Sequence, residues 1–147
     1  MPVYYIYHDE SAFTSAQKQS IANGIADAHV AATDAPRFFV KVAFVGRAHG
    51  DLFSNGAAAP DMVQVVGNIR AGRDSAHRYK LLTLLDDVIV RNAGGKKFLV
   101  EVTLMERPAE NVLLEGMREP EVGSAEEDRC RDLGHVPEDM KYTNLRR

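Results

Sequence analysis

Proline at position 2, directly behind the initiator methionine, has the most distinctive chemistry in the chain. A small second residue permits removal of Met1, which would leave a free secondary amine. An α-amino group titrates at about pH 8 in model peptides. Apolar burial and nearby cations both disfavour the charged form, so such a proline can be a neutral base at physiological pH. Proline also suits the first position of a strand with no chemistry attached. The second group is Arg70-Ala71-Gly72-Arg73. Two guanidinium groups on one turn, spaced by small residues, can hold a carboxylate through paired charge-assisted hydrogen bonds. Placed just ahead of a helix, they gain nothing from its dipole, which favours an anion site over a plain surface turn. His29 is the third, one turn after Ile25 on the first helix. A lone helical histidine is more often structural; its interest comes from the company of Pro2 and the arginines.

Other chemistries are missing from the pattern. His8, His49 and His135 fall in turns or the tail, and His77 lies early in the second helix. None has ligand spacing with another His or Cys, so no metal is expected. There is no GxxxxGK loop, no GxGxxG after a strand and no GxSxG elbow, and no cofactor is expected. Gly94-Gly95 reads as a helix C-cap. The 147 residues are 45% hydrophobic and 27% charged, with a net charge of −3. That balance describes a globular chain with no basic field for nucleic acid or acidic lipid. No apolar run reaches the roughly 20 residues that span a bilayer, and the N-terminus does not read as a signal peptide. With Cys130 the one cysteine, a reducing, cytoplasmic setting is the expectation.

The elements that must position these groups are written twice. Val3 to Tyr7 reads as a strand. Thr14 and Gln17 have capping-box spacing and open a helix to about Ala32, with Ile21, Ile25, Ala28 and Ala32 on one face. Phe38 to Val45 reads as a second strand, and Gly46 to Pro60 as a loop. The pattern restarts at Met62 with a strand to Arg70. Asp74 or Ser75 then caps a helix to about Asn92, and Phe98 to Met105 is the last strand. At an offset of 60, Val3 matches Val63, Ser15 Ser75, Ala16 Ala76, Asp27 Asp87, Phe38 Phe98, Val40 Val100, Val42 Val102 and Arg47 Arg107. Each unit has too few strands to cover its own apolar surface. Residues 1–116 are therefore expected to form one α+β sandwich: tandem β-α-β units making a four-stranded sheet with two helices on one face. The charged tail, residues 117–147, allows a helix at Ala125 to Leu133. It reads as a surface extension on the same subunit or as an arm on a neighbour.

Pro2, the double β-α-β unit, Asp27-Ala28-His29 and Arg70-x-x-Arg73 together resemble the tautomerase superfamily, within it the cis-3-chloroacrylic acid dehalogenase branch. The resemblance runs over roughly residues 1–116, through RAGR and the MERPAENVLLEG segment. It implies that Pro2 is the acid or base and that His29, Arg70 and Arg73 bind a substrate carboxylate. Two positions depart from the dehalogenase pattern. Thr103 stands where that branch has a tyrosine, and Leu114 where it has a water-activating glutamate, with Glu115 one residue later. Losing a placed acid and base costs roughly 10²–10⁴ in rate.

The expected activity is therefore enol–keto tautomerisation of a small 2-oxo or unsaturated carboxylic acid, without a cofactor. Proton transfer and electrostatic stabilisation suffice for that reaction. Thr103 and Glu115 are further candidates for contact with substrate. The alternatives are a hydratase, decarboxylase or weak cis-3-haloacrylate dehalogenase acting on C3 acids, and a catalytically idle trimeric binding or scaffold protein. A sheet apolar on both faces, with helices for only one, needs other cover. The resemblance makes that cover a homotrimer.

Overall fold

The computed structural model describes residues 1–142, so the last five residues of the expected tail lie outside the described residues. Strand β1 (Val3–Asp9) leads through helix α1 (Ser15–Thr33) to β2 (Lys41–Arg47). A small hairpin of β3 (Phe53–Ser54) and β4 (Ala57–Ala58) follows. The second unit is β5 (Met62–Arg70), α2 (Ser75–Arg91) and β6 (Leu99–Arg107). The four long strands form one sheet in the order β2-β1-β5-β6. Each unit pairs its own strands in parallel, and the units meet antiparallel at β1 and β5. This is the α+β sandwich that the duplicated pattern predicts.

Local chemistry sets the helix ends. Thr14 and Gln17 form the capping box, each side chain accepting from the other residue's backbone N–H. Asp34 ends α1 in the left-handed region, its N–H on the Val30 carbonyl. Asp74, rather than Ser75, caps α2 by accepting from the His77 N–H. Ile21, Ile25 and Ala28 of α1 and Leu81, Leu85 and Val88 of α2 bury together on Tyr4, Ile6, Val63 and Val65 of the sheet. Gly24 lets the helices approach closely, since a Cβ there would stand 2.9 Å from a Val88 methyl.

Several boundaries differ from the sequence expectation: β1, β2 and β6 each run two residues further, to Asp9, Arg47 and Arg107. Phe38 and Phe39 are not in a strand: Arg37–Phe39 is a 3₁₀ turn behind Pro36, and β2 starts at Lys41. Pairing begins where β1 begins, with the Lys41 N–H on the Pro2 carbonyl at 3.0 Å. Phe39 is apolar for another reason, because it is buried in a second core with Leu114, Met117, Cys130 and Val136. The expected loop at 46–60 also contains the β3–β4 hairpin.

The offset of 60 holds for the helices and the outer strands but slips in the central ones. Val3 stands opposite Lys41, whereas Gln64, not Val63, stands opposite Glu101, the residue 60 after Lys41. The central strands are therefore related by an offset of 61. Because strand faces alternate, Val3 and Val63 point to opposite faces, and the match read between them is not a structural one. The extra residue is absorbed in the β1–α1 connection.

The tail folds back on its own chain. After a hairpin of β7 (Leu113–Leu114) and β8 (Met117–Arg118), helix α3 (Ala125–Leu133) closes the second core. It covers the end of the sheet where β1 begins and β5 ends. The sheet face opposite the helices carries Tyr5, Leu99 and Met105 at 37%, 53% and 55% exposure, an apolar surface of the kind that marks an interface.

Candidate active site

Antiparallel pairing of the central strands brings the expected residues together. Val3 lies opposite Asn68, so Pro2 falls beside the Ile69–Arg70 end of β5. Helix α1 runs back over β1 and returns His29 to the same end. Pro2, His29, Arg70 and Arg73 line one small cavity, with Thr33, Ala35, Phe39, Ile69 and Glu119. It measures about 10 Å³, room for about one water molecule.

His29 is buried and fixed from behind. Its Nδ1 lies 2.7 Å from the Tyr4 hydroxyl. Tyr4 is itself buried, and burial pushes its titration up, so the phenol keeps its proton. Among the described residues the hydroxyl has no other acceptor, so it donates to Nδ1 and leaves the ring hydrogen on Nε2. Burial, then the Arg73 charge, the amino terminus and Arg70, hold His29 down to about 3. At neutral pH it is an uncharged imidazole, a hydrogen-bond donor rather than a cation. Tyr4 takes this position because its cross-strand partner is Gly67. A Cβ at Gly67 would stand 2.6 Å from the Tyr4 ring.

The two arginines are not equivalent. Arg70 is buried and held by the tail, donating through Nη1 to the Pro120 carbonyl at 2.5 Å and through Nη2 to Glu127 Oε1 at 2.6 Å. Glu127 is buried too, and its other oxygen accepts from the Gly123 N–H at 2.7 Å. The buried Nε of Arg70 has no partner among the described residues. Arg73 is half-buried and makes no ion pair among the described residues. Arg78 braces its loop by donating to the Arg73 carbonyl. Arg73 is thus the guanidinium open to an anion, while Arg70 already carries a carboxylate of its own chain.

Sequence reasoning missed three groups. Met1 is clamped at both ends: its amine contacts Glu119 Oε1, and its carbonyl accepts from Arg107 Nη2. Arg107 Nη1 donates to Glu119 Oε2 at 2.9 Å. Burial, then Arg107 and Arg70, draw the amine down to about 4, with the Glu127 charge working against them. Glu119 lies in the aperiodic tail, where no spacing marks it, and Glu127 has a spacing signal only for the start of a helix, three residues after the N-cap Ser124. Arg107 was visible only as the repeat of Arg47. Thr103 sits on the exposed face of β6, and Glu115 in the β7–β8 turn at a φ of 50°. Neither lines this cavity. Leu114 is buried in the second core.

A family described as "Putative oxalocrotonate tautomerase enzyme" matches residues 1–133. Among solved structures, native RhCC from Rhodococcus jostii RHA1 is similar at 20% identity, with a TM-score of 0.82 over 92% of this chain and 99% of that one. N1, a member of the cis-3-chloroacrylic acid dehalogenase family, is 24% identical, with a TM-score of 0.80 over 90% and 97%. A fused 4-OT, an asymmetric trimer, is 19% identical, with a TM-score of 0.71 over 79% and 94%. At these identities the fold is what is shared. Among curated proteins none matches.

Proposed function

The chain belongs to this oxalocrotonate tautomerase family, and on that premise we propose that it is a cofactor-independent tautomerase of a small 2-oxo or unsaturated carboxylic acid, with Pro2 as its acid or base. The observation that carries the reading is the convergence of Pro2, the neutral His29 and Arg73 on one cavity. Loss of Met1 frees the Pro2 nitrogen and enlarges a cavity that otherwise holds about one water. Arg73 anchors the substrate carboxylate and Arg70 adds positive potential behind it. The His29 Nε2–H donates to a substrate oxygen, whose developing charge it stabilises. The proline amine moves the proton to or from C3.

The working unit in this proposal is a homotrimer. The exposed apolar sheet face and the trimeric fused 4-OT structure support it. Light scattering of the purified protein should give about three times the 16.2 kDa of one chain.

The decisive experiment uses protein whose loss of Met1 is established by intact mass. Its kcat/KM is measured on a panel of enol acids, with Pro2→Ala beside it. Pro2→Ala should keep the fold and lose at least tenfold in kcat/KM. Equal activity of the two proteins removes the proline from the mechanism.

A further inference from the structure

The clamp on Met1 points to a second group that handles protons. We propose that Glu119, held by Arg107, is a catalytic carboxylate facing the Pro2 amine, so that the proton leaves the substrate oxygen to one group and reaches carbon from the other. This rests on the tautomerase reading above.

The Met1 atoms show what the clamp binds. Its amine, against Glu119, stands in for an N–H or O–H donor. Its carbonyl oxygen, against Arg107, stands in for a substrate oxygen that carries or gains negative charge. Once Met1 is gone, Glu119 and Arg107 border the space that its amine and carbonyl held, next to the new amine, and Glu119 already lines one cavity with Pro2. Glu119 is almost fully buried, which a carboxylate tolerates when it is paired. Arg107 supplies that pairing and fixes the carboxylate plane through one oxygen, leaving the other toward the amine. A packed carboxylate beside an amine, with an acceptor site next to both, is a preorganised two-group arrangement for a 1,3-proton shift.

The step balances without an oxidant or cofactor. The enol O–H bond breaks and its proton passes to the Glu119 carboxylate. The oxygen lone pair forms the new C=O beside Arg107 as the C=C pair takes a proton at C3 from the protonated Pro2 amine. Protonated Glu119 then returns its proton to the neutral amine next to it, and the net change is one proton moved from oxygen to carbon.

The test has a readout that does not need activity. In Met1-free protein, ¹⁵N NMR of the Pro2 amine is followed through a pH titration in wild type and Glu119→Gln. A nearby opposite charge favours the charged amine, so its pKa should fall by about one unit or more in the variant. In parallel, kcat/KM on an enol acid should drop more than tenfold and lose the limb that reports an ionised base. If Glu119→Gln does not fold, Glu119→Asp retracts the carboxylate by one methylene and should lower the amine pKa in the same direction, by less. An unmoved amine pKa overturns the pairing whatever the activity. A shifted amine with unchanged kcat/KM overturns the catalytic role. A shifted amine in a wild type inactive on every enol acid overturns the tautomerase reading and leaves the pairing standing.

Discussion

The duplicated chain has two equivalent sheet ends, and only one of them brings two arginines and a histidine to a cavity. At the first, β5 ends in Arg70 and Arg73 precedes the cap of α2. At the second, the central-strand register puts Asp9 where Arg70 stands, and the helix register puts Phe13 where Arg73 stands. Ile89 takes the place of His29. Asp9 is satisfied locally, accepting from the Ser11 N–H and hydroxyl at 2.9 and 2.6 Å, with His49 Nδ1 at 3.0 Å. Phe13 fills the remaining space against His8, Phe44 and Phe98. One scaffold thus holds a cationic cavity at one end and an aromatic plug at the other. The backbone creates the position, and a few side chains decide whether it is hollow and charged.

The contrast is tested most strongly through stability. Arg70→Met should cost about 3–5 kcal/mol, because it strands the buried Glu127. Asp9→Asn, at the equivalent position, should cost about 1–3 kcal/mol, since its partners are a backbone N–H, a hydroxyl and an exposed imidazole. Urea melts of the two variants against wild type check the order, and equal losses would erase the distinction.

Acid should act on the first end through His29. The unfolded histidine takes a proton at its ordinary 6.5, the folded one only at about 3. Between those values the unfolded chain binds more protons. The stabilising contribution is therefore complete above 6.5, is lost as pH falls and levels off below about 3. The loss is on the order of 3–5 kcal/mol. His29→Gln should flatten that part of a stability–pH curve measured by urea melts. Ile89, the equivalent residue, has nothing to titrate.

Arg73→Ala and Phe13→Ala should separate activity from packing. Removing the open guanidinium should cost roughly 1.5–3 kcal/mol of transition-state binding for carboxylate substrates, more than tenfold in kcat/KM, with little change in the melt. Removing Phe13 should cost about 3–5 kcal/mol of stability while kcat/KM, measured on the folded fraction, holds. The last effect is at Gly67. Ala there displaces the Tyr4 ring and should cost about 1–3 kcal/mol, with a measurable rise in the His29 titration as its Tyr4 contact loosens.

Periodicity and caps made the two halves legible, because burial of one helix face and one strand face leaves its mark on spacing. Ile21, Ile25 and Ala28, and their counterparts Leu81, Leu85 and Val88, were readable for that reason. The slip between the central strands was not, since a single residue absorbed in the β1–α1 connection leaves composition unchanged. Pro2, His29, Arg70 and Arg73 were legible as a set, and the structure brings all four to one cavity. The division of labour between the arginines was hidden, because Glu127 reaches Arg70 from 57 positions away through a tail with no repeating pattern. Glu119 was hidden likewise.

The seat of Glu127 on Arg70 makes the tail a tethered ligand for its own anion site. A group held on the same chain acts at an effective concentration on the order of millimolar or above. Any free anion that reaches for Arg70 must displace a carboxylate that is already buried and paired there. Selectivity at this end of the molecule is therefore a matter of competition: the chain itself occupies one arginine and leaves the other to be read by what arrives.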